Sequence, residues 1–365
     1  MRILMAGGGT AGHINPAIAI ADKIRENESD SVIEFIGTKR GMENDLVSKA
    51  GYKLNHIEMR GFQRKLSLRN VSTIYYYFSS PPKARRLIKA FRPDAVIATG
   101  GYLSWPLISA AHSLGIPSFI HESNAKPGKA VDMLKNKVNV IYTNYEITAS
   151  YLKNSAEIVR VGNPLLHFSA ENTSGSAPVL PGGIGKVILS FGGSLGAEKL
   201  TDSIIGCASG ILKDDSVYIL HSAGVKKFDS ACEAAAKCGI DKNDRFDMRS
   251  YIYDMPAWLK RADVVICRAG AMTLSELAAY RKPAIVIPSP YVADNHQYVN
   301  AKTLADHGAA ILLEEKDLTP ESLSVAILSL LSNEGKREDI KRRLSDFAPG
   351  NAAQAIYDDI KRRIE

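Results

Sequence analysis

The residues best suited to chemistry lie in glycine-rich turns. AGGGTAGHINP, residues 6–16, sets Gly7, Gly8, Gly9 and Gly12 between an apolar run and a helical pattern, with His13 directly after the last glycine. FGGSLGA, residues 191–197, repeats the strand–glycine–helix arrangement in the second half, and TGGY, residues 99–102, adds a third turn. Glycine lets the backbone approach a ligand closely and adopt positive φ. The free N–H groups and the positive end of the helix then face an anion, which makes each such loop a phosphate site. At a helix N-terminus the dipole favours the neutral imidazole of His13, a form suited to a general base near neutral pH. A histidine that only caps or packs is the alternative.

RAGAMTLSE, residues 268–276, again runs from a strand end through small residues into a helix. Backbone N–H groups at Met272 and Thr273 would face phosphate, and Glu276 one turn later can accept from the vicinal hydroxyls of a ribose. An ordinary first-turn helix acid is the alternative for Glu276. SPYVADNHQ, residues 289–297, follows another strand end, where parallel sheets bind ligands. Its Asp294, Asn295, His296 and Gln297 suit a sugar better than an apolar substrate. No Asp-x-Asp pair occurs, so helix termini and glycine loops would have to neutralise a leaving diphosphate, and neither a metal nor another cofactor is expected.

These loops need strands and helices to hold them. The chain has 365 residues, 45% hydrophobic and 23% charged, which suits two soluble domains. Strands are expected at 2–5, 32–36, 95–98, 118–120 and 138–142, with helices over 14–25, where Pro16 falls near the first turn, and from Leu107. SAENTSGSAPVLPGGIG, residues 169–185, reads as a linker, after which the pattern restarts with strands at 217–220, 263–267 and 284–288. Strands alternating with helices mean parallel sheets with crossovers, so the expected class is α/β, two doubly wound domains in tandem. The divisions fall at 1–165 and 166–346, with a final helix, 347–365, packing back on the first domain. Four cysteines show no metal-ligand spacing and read as reduced structural thiols of a cytoplasmic protein. No signal peptide is visible, and no run reaches the ~18 apolar residues of a membrane span.

The net charge of +7 has one source. Residues 60–92 hold nine Lys or Arg and no acid, and the rest of the chain has 37 basic against 39 acidic residues. This argues against a nucleic-acid partner and for one local anionic surface. Tyr75, Tyr76, Tyr77 and Phe78 sit between the two basic clusters, a composition suited to a membrane interface. Aromatics buried under a solvated basic face are the alternative. The first loop also fits GxGxxG through Gly7, Gly9 and Gly12, but a dinucleotide site needs an acid at the end of the second strand. IGTKR places Lys39 and Arg40 there, which keeps an NADP-dependent oxidoreductase open as an alternative.

Taken in order, GGGTAGH, GFQRKLS, TGGYLSWP, HESN, VGNP, FGGSLGA, RAGAMTLSE and PSPYVADNHQ resemble the MurG family, glycosyltransferases of family 28, over essentially the whole chain. The resemblance implies a GT-B fold, two Rossmann-like domains facing a central cleft, the first taking the lipid acceptor and the second UDP-GlcNAc. It implies inverting transfer of GlcNAc from UDP-GlcNAc to the C4 hydroxyl of MurNAc in lipid I, forming lipid II for peptidoglycan synthesis. His13 would be the base. Thr10, Ala11 and Gly12 would lie against the donor sugar and the acceptor diphosphate, and Asn124 would meet the GlcNAc. Ser194 would contact the UDP phosphates and the Ile252 backbone the uracil. Ala271, Met272, Thr273 and Glu276 would line phosphates and ribose, and Gln297 the sugar hydroxyls. The same resemblance implies a peripheral enzyme on the cytoplasmic side of the cell membrane, held to anionic lipid by residues 60–92. Cell-wall synthesis and division proteins are further partners it allows. Three positions depart from the family pattern: Ala11, Ser123 in HESN, and Leu166, where an Arg that grips diphosphate is usual. The last leaves open a relative with reduced or shifted acceptor activity.

Overall fold

Short apolar runs ending in glycine or a small residue become strands because helices cover both faces of each sheet and leave no solvent side. RILMA shows this: Ile3, Leu4, Met5 and Ala6 are all fully buried. The computed structural model describes residues 1–61, 68–166, 178–193, 196–348 and 350–365. It divides into two units, Met1–His167 with Pro349–Glu365, and Phe168–Ala348. In the first unit the strands are β1 (Arg2–Ala6), β2 (Val32–Gly37), β3 (Lys53–His56), β4 (Ala95–Ala98), β5 (Ser118–Glu122), β6 (Val140–Thr143) and β7 (Glu157–Arg160). They pair in parallel in the order β3-β2-β1-β4-β5-β6-β7. The second unit has β8 (Lys186–Phe191), β9 (Val217–Ser222), β10 (Phe246–Arg249), β11 (Val264–Cys267), β12 (Ala284–Val286) and β13 (Ile311–Leu312), in the order β10-β9-β8-β11-β12-β13. Each sheet reverses its winding beside its first strand, between β1 and β4 and between β8 and β11. Ligands of such sheets bind beyond the strand C-termini at that reversal.

Strand alternation splits the first unit's core in two. Leu4 and Ala6 face the side covered by helices Leu68–Phe91 and Ser104–Leu114. Ile3 and Met5 face helix Ala11–Asn27 and the last helix, Ala352–Ile364, whose Ile356, Tyr357 and Ile360 complete that layer. Tyr142 on β6 donates to Asp359 at 2.8 Å, and Arg363 forks onto Glu157 of β7 at 2.8 and 2.9 Å. The C-terminal segment is therefore built into the first unit by apolar and charged contacts together.

Several elements differ from the sequence reading. The first helix begins at Ala11, not at Ile14, so Pro16 lies in its second turn. There its missing N–H leaves the Gly12 carbonyl without its usual helical donor. The helix expected from Leu107 begins at Ser104. Strands β3, β7, β10 and β13 were not anticipated: KLNH, EIVR and FDMR are short and polar, and all four lie at or next to sheet edges. Most of the 169–185 linker lies outside the described residues. Replacing the fully buried Ile360 with Ala should cost about 2–5 kcal/mol. Equilibrium urea unfolding of the first unit measures this, with a lower midpoint expected at unchanged m-value.

Candidate active site

In the first unit the site forms where the turns after β1 and β4 meet. A Cβ at Gly7 would lie 2.5 Å from the His13 carbonyl oxygen and 2.6 Å from the Thr99 hydroxyl, so only glycine fits. Gly101, at φ +76, is held equally close to the Gly8 carbonyl. Through this contact the Thr99 hydroxyl donates to the His13 carbonyl at 2.6 Å, and His13 Nδ1 lies 3.0 Å from the Thr99 carbonyl oxygen. A carbonyl only accepts, so Nδ1 carries the proton and the lone pair of the neutral ring lies on Nε2. Burial lowers the imidazole below its ordinary range, and the Thr99 hydrogen bond only partly opposes this. His13 is thus a neutral imidazole in the first turn of its helix, with Nε2 as its basic atom.

Thr10 is the N-cap of that helix and is exposed, and its side chain makes no capping bond. The N–H groups of Ala11 and Gly12 take no partner among the described residues, whereas those of His13 and Ile14 return to the Thr10 carbonyl. One hydroxyl and two amide donors are therefore available beside His13. Asn124 lies beyond β5, in a loop arranged by the buried Glu122 carboxylate. Oε1 of Glu122 accepts from the Asn124 backbone N–H and from Asn124 Nδ2, each at 2.9 Å, while Oε2 accepts from the Gly128 N–H at 2.8 Å. A carboxylate needs donors, which orients the Asn124 amide with its nitrogen inward. Leu166 packs against the core layer of Ile3 and Ile356. An apolar side chain is used there for packing.

In the second unit a cavity of about 740 Å³ opens beyond the ends of β8 and β11. Gly192, Gly193, Gly196 and Ala197 form one wall, and Gly270 with Thr273 the opposite one. Gly196 sits at φ +78 with the Ala223 carbonyl oxygen 2.0 Å from where a Cβ would be. Lys199, Lys227 and Arg268 line the same cavity, with Arg268 paired to Glu315 and Lys227 bonded to Glu198 at 2.8 Å. Gln297 also lines it and accepts from the Ser289 N–H at 2.8 Å. Ala271 and Met272 belong to the first turn of helix Ala271–Ala279, whose early N–H groups have no intrahelical partner. Glu276, one turn on, is half-buried, and burial pushes its carboxyl up to about 7. Ile252 buries its side chain beyond β10, and neither its N–H nor its C=O is hydrogen-bonded among the described residues.

The structure thus gathers Thr10, Ala11, Gly12 and His13 around one helix start, and Ala271, Met272, Thr273, Glu276 and Gln297 around another. Asn124 and Ile252 stand on their own loops. Ser194 and the positions 62–67 of GFQRKLS lie outside the described residues. Sequence reasoning missed Lys199, Lys227 and Glu315, which reach the cavity from three separate segments and share no motif. On helix Leu68–Phe91, Val71, Ile74, Tyr75 and Phe78 form an exposed stripe, with Phe78 71% exposed. Tyr76 and Tyr77 turn inward, Tyr77 stacking on Trp105 at 4.1 Å. Lys83, Arg85, Arg86 and Lys89 are exposed further along the helix, and no helix among the described residues is long and apolar enough to cross a membrane.

Comparison with known proteins agrees with this architecture. The glycosyltransferase family 28 N-terminal domain matches residues 3–143 and the glycosyltransferase family 28 C-terminal domain residues 187–355. A UDP-N-acetylglucosamine--N-acetylmuramyl-(pentapeptide) pyrophosphoryl-undecaprenol N-acetylglucosamine transferase of Acetivibrio thermocellus is 37% identical over 365 residues, covering 99% of this chain and 98% of its own. The enzyme of the same name from Thermoanaerobacter sp. is 39% identical, covering 99% of each chain. The crystal structure of Acinetobacter baumannii MurG matches with a TM-score of 0.78 at 28% identity over 99% of both chains. Two Rossmann-like units with these sites define a family 28 glycosyltransferase of GT-B fold. The chain belongs to the MurG family of UDP-GlcNAc-dependent N-acetylglucosaminyltransferases. This sets aside the oxidoreductase alternative.

An NMR titration should find the His13 imidazole titrating below about 6.5, with Nδ1 protonated above that point. A titration at or above 6.5, or an Nε2–H tautomer, would contradict the geometry.

Proposed function

We infer that this chain transfers GlcNAc from UDP-GlcNAc to the C4 hydroxyl of MurNAc in lipid I, forming lipid II for peptidoglycan synthesis. The observation that supports this chemistry best is the His13–Thr99 contact, which places a neutral, basic Nε2 among unspent donors. The C4 oxygen attacks the anomeric carbon of GlcNAc, and the bond from that carbon to the UDP oxygen breaks with its electron pair on the diphosphate. His13 Nε2 takes the C4 hydroxyl proton. Thr10 and the N–H groups of Ala11 and Gly12 hold the donor sugar and the acceptor diphosphate, and Asn124 meets the GlcNAc.

On the donor side, Arg268, Lys199 and Lys227 line the cavity and offset the charge that develops on the leaving UDP, aided by the N–H groups at Ala271, Met272 and Thr273. Glu276 accepts from the ribose hydroxyls, the Ile252 backbone pairs with uracil, and Gln297 reads the sugar. No metal or cofactor enters this scheme. The stripe Val71, Ile74, Tyr75 and Phe78, flanked by exposed cations, docks on the anionic cytoplasmic leaflet that carries the acceptor.

Transfer of labelled GlcNAc to a lipid I analogue tests the reading directly. The native chain should form the product, and His13→Ala should lower kcat about 10²- to 10⁴-fold while UDP-GlcNAc binding is kept. Near-normal turnover by His13→Ala would remove it from the role of base.

Glu276 gives a pH test. Its raised carboxyl must ionise to accept from ribose, so UDP-GlcNAc should bind more weakly as the pH falls from 8 to 6 through about 7. UDP-GlcNAc itself has no phosphate proton to gain in that range. Calorimetry should show Glu276→Gln binding about 10-fold more weakly, with no such pH dependence.

A further inference from the structure

We propose that Glu315 is a counter-charge that weakens diphosphate binding in the second unit's cavity and so lets UDP leave; this rests on the reading of that cavity as the donor site. Its three cations each have a partner already. Lys227 is paired with Glu198, and Lys199 Nζ donates to the backbone carbonyls of Glu315 and Lys316. Arg268 Nη2 is paired with the Glu315 carboxylate. The Lys227 and Glu198 side chains are 48% and 69% exposed, and a pair so solvated is worth little. Arg268 and Glu315 are only 13% and 11% exposed, so water and salt screen their charges far less.

The guanidinium does not depend on Glu315 for its place. Arg268 Nη1 donates to the carbonyls of Ile287 and Pro288, beyond β12, at 3.3 and 3.4 Å. Glu315 Oε2 takes part in the ion pair but accepts no hydrogen bond among the described residues. Two carbonyls therefore hold the fork, and the carboxylate supplies charge. A diphosphate entering the cavity meets an arginine already offset and a carboxylate that repels it. The penalty grows with the charge of the ligand. Above its terminal phosphate pKa of about 6, UDP carries one more negative charge than UDP-GlcNAc, so Glu315 opposes the product more than the donor.

The test is calorimetry of UDP and UDP-GlcNAc on the full chain at about pH 8, where UDP carries its extra charge, with steady-state transfer to a lipid I analogue alongside. Glu315→Gln keeps the shape and removes the charge. It should bind UDP about 10-fold more tightly and UDP-GlcNAc more tightly by a smaller factor. The KM for UDP-GlcNAc should fall with no rise in kcat, the pattern of binding gained equally in ground and transition states. Glu315→Ala, which also lacks the charge, should show the same tightening, and Glu315→Asp, which keeps it, should stay close to the native chain. Glu314→Gln removes a carboxylate paired with Lys316 at 3.2 Å, outside the cavity lining, and should leave both constants native. If the native chain binds UDP and Glu315→Gln binds it no more tightly, the proposal is wrong and the donor site stands. Weaker binding by Glu315→Gln would make Glu315 a residue that positions Arg268 instead. A native chain that binds neither nucleotide would overturn the donor-site reading and this proposal together.

Discussion

The first unit's site depends on one close approach, that of the turn after β1 to the turn after β4. These strands are neighbours in the sheet although about ninety residues separate them in sequence, and Thr99 binds back to Ala6 and His13 across the join. The missing side chains of Gly7 and Gly101 make that distance possible. Once the turns meet, the His13 tautomer is settled by a backbone carbonyl, which has no proton to exchange and cannot change role with pH. A basic Nε2 then follows from packing and requires no acidic partner.

The second unit uses the same geometry for a different purpose. Gly196 lets its loop lie against the Ala223 carbonyl. Beneath it, His221 bridges Ser190 on β8 and Thr201 on helix Glu198–Ile211, at 3.0 Å to each. Burial pushes that imidazole down to about 4, so it stays neutral and acts as a polar pin inside the core. Here the cavity is lined by Lys199, Lys227 and Arg268 beside the start of helix Ala271–Ala279, the groups the proposed function uses for the leaving diphosphate.

Much of this was legible beforehand, for identifiable reasons. The central strands are apolar runs ending at glycine, and burial on both faces leaves little freedom of interpretation, so β1, β2 and β4 fell within a residue of expectation. Edge strands such as Lys53–His56 and Phe246–Arg249 were not legible. Their pairing is supplied by the neighbouring strand and their own side chains alternate weakly. Of the aromatic run 75–78, the composition suggested an interface for all four rings. The helix sends Tyr75 and Phe78 outward and Tyr76 and Tyr77 onto the core, a division that periodicity alone leaves open until the packing face is known.

By itself the sequence determined the two α/β units, the glycine turns, the family, and the identity of the groups able to do chemistry, because each is a local pattern of residue types at short spacing. Tertiary structure decided which nitrogen of His13 is basic, that Glu122 orients Asn124, and that Leu166 is used in packing. It also brought Lys199, Lys227 and Arg268 to one cavity. The His13 contact, the Leu166 packing and the cavity join segments tens of residues apart, whereas Glu122 and Asn124 are close in sequence and meet only because of the path the loop takes beyond β5. In each case the energy comes from burial and hydrogen bonding in the folded unit.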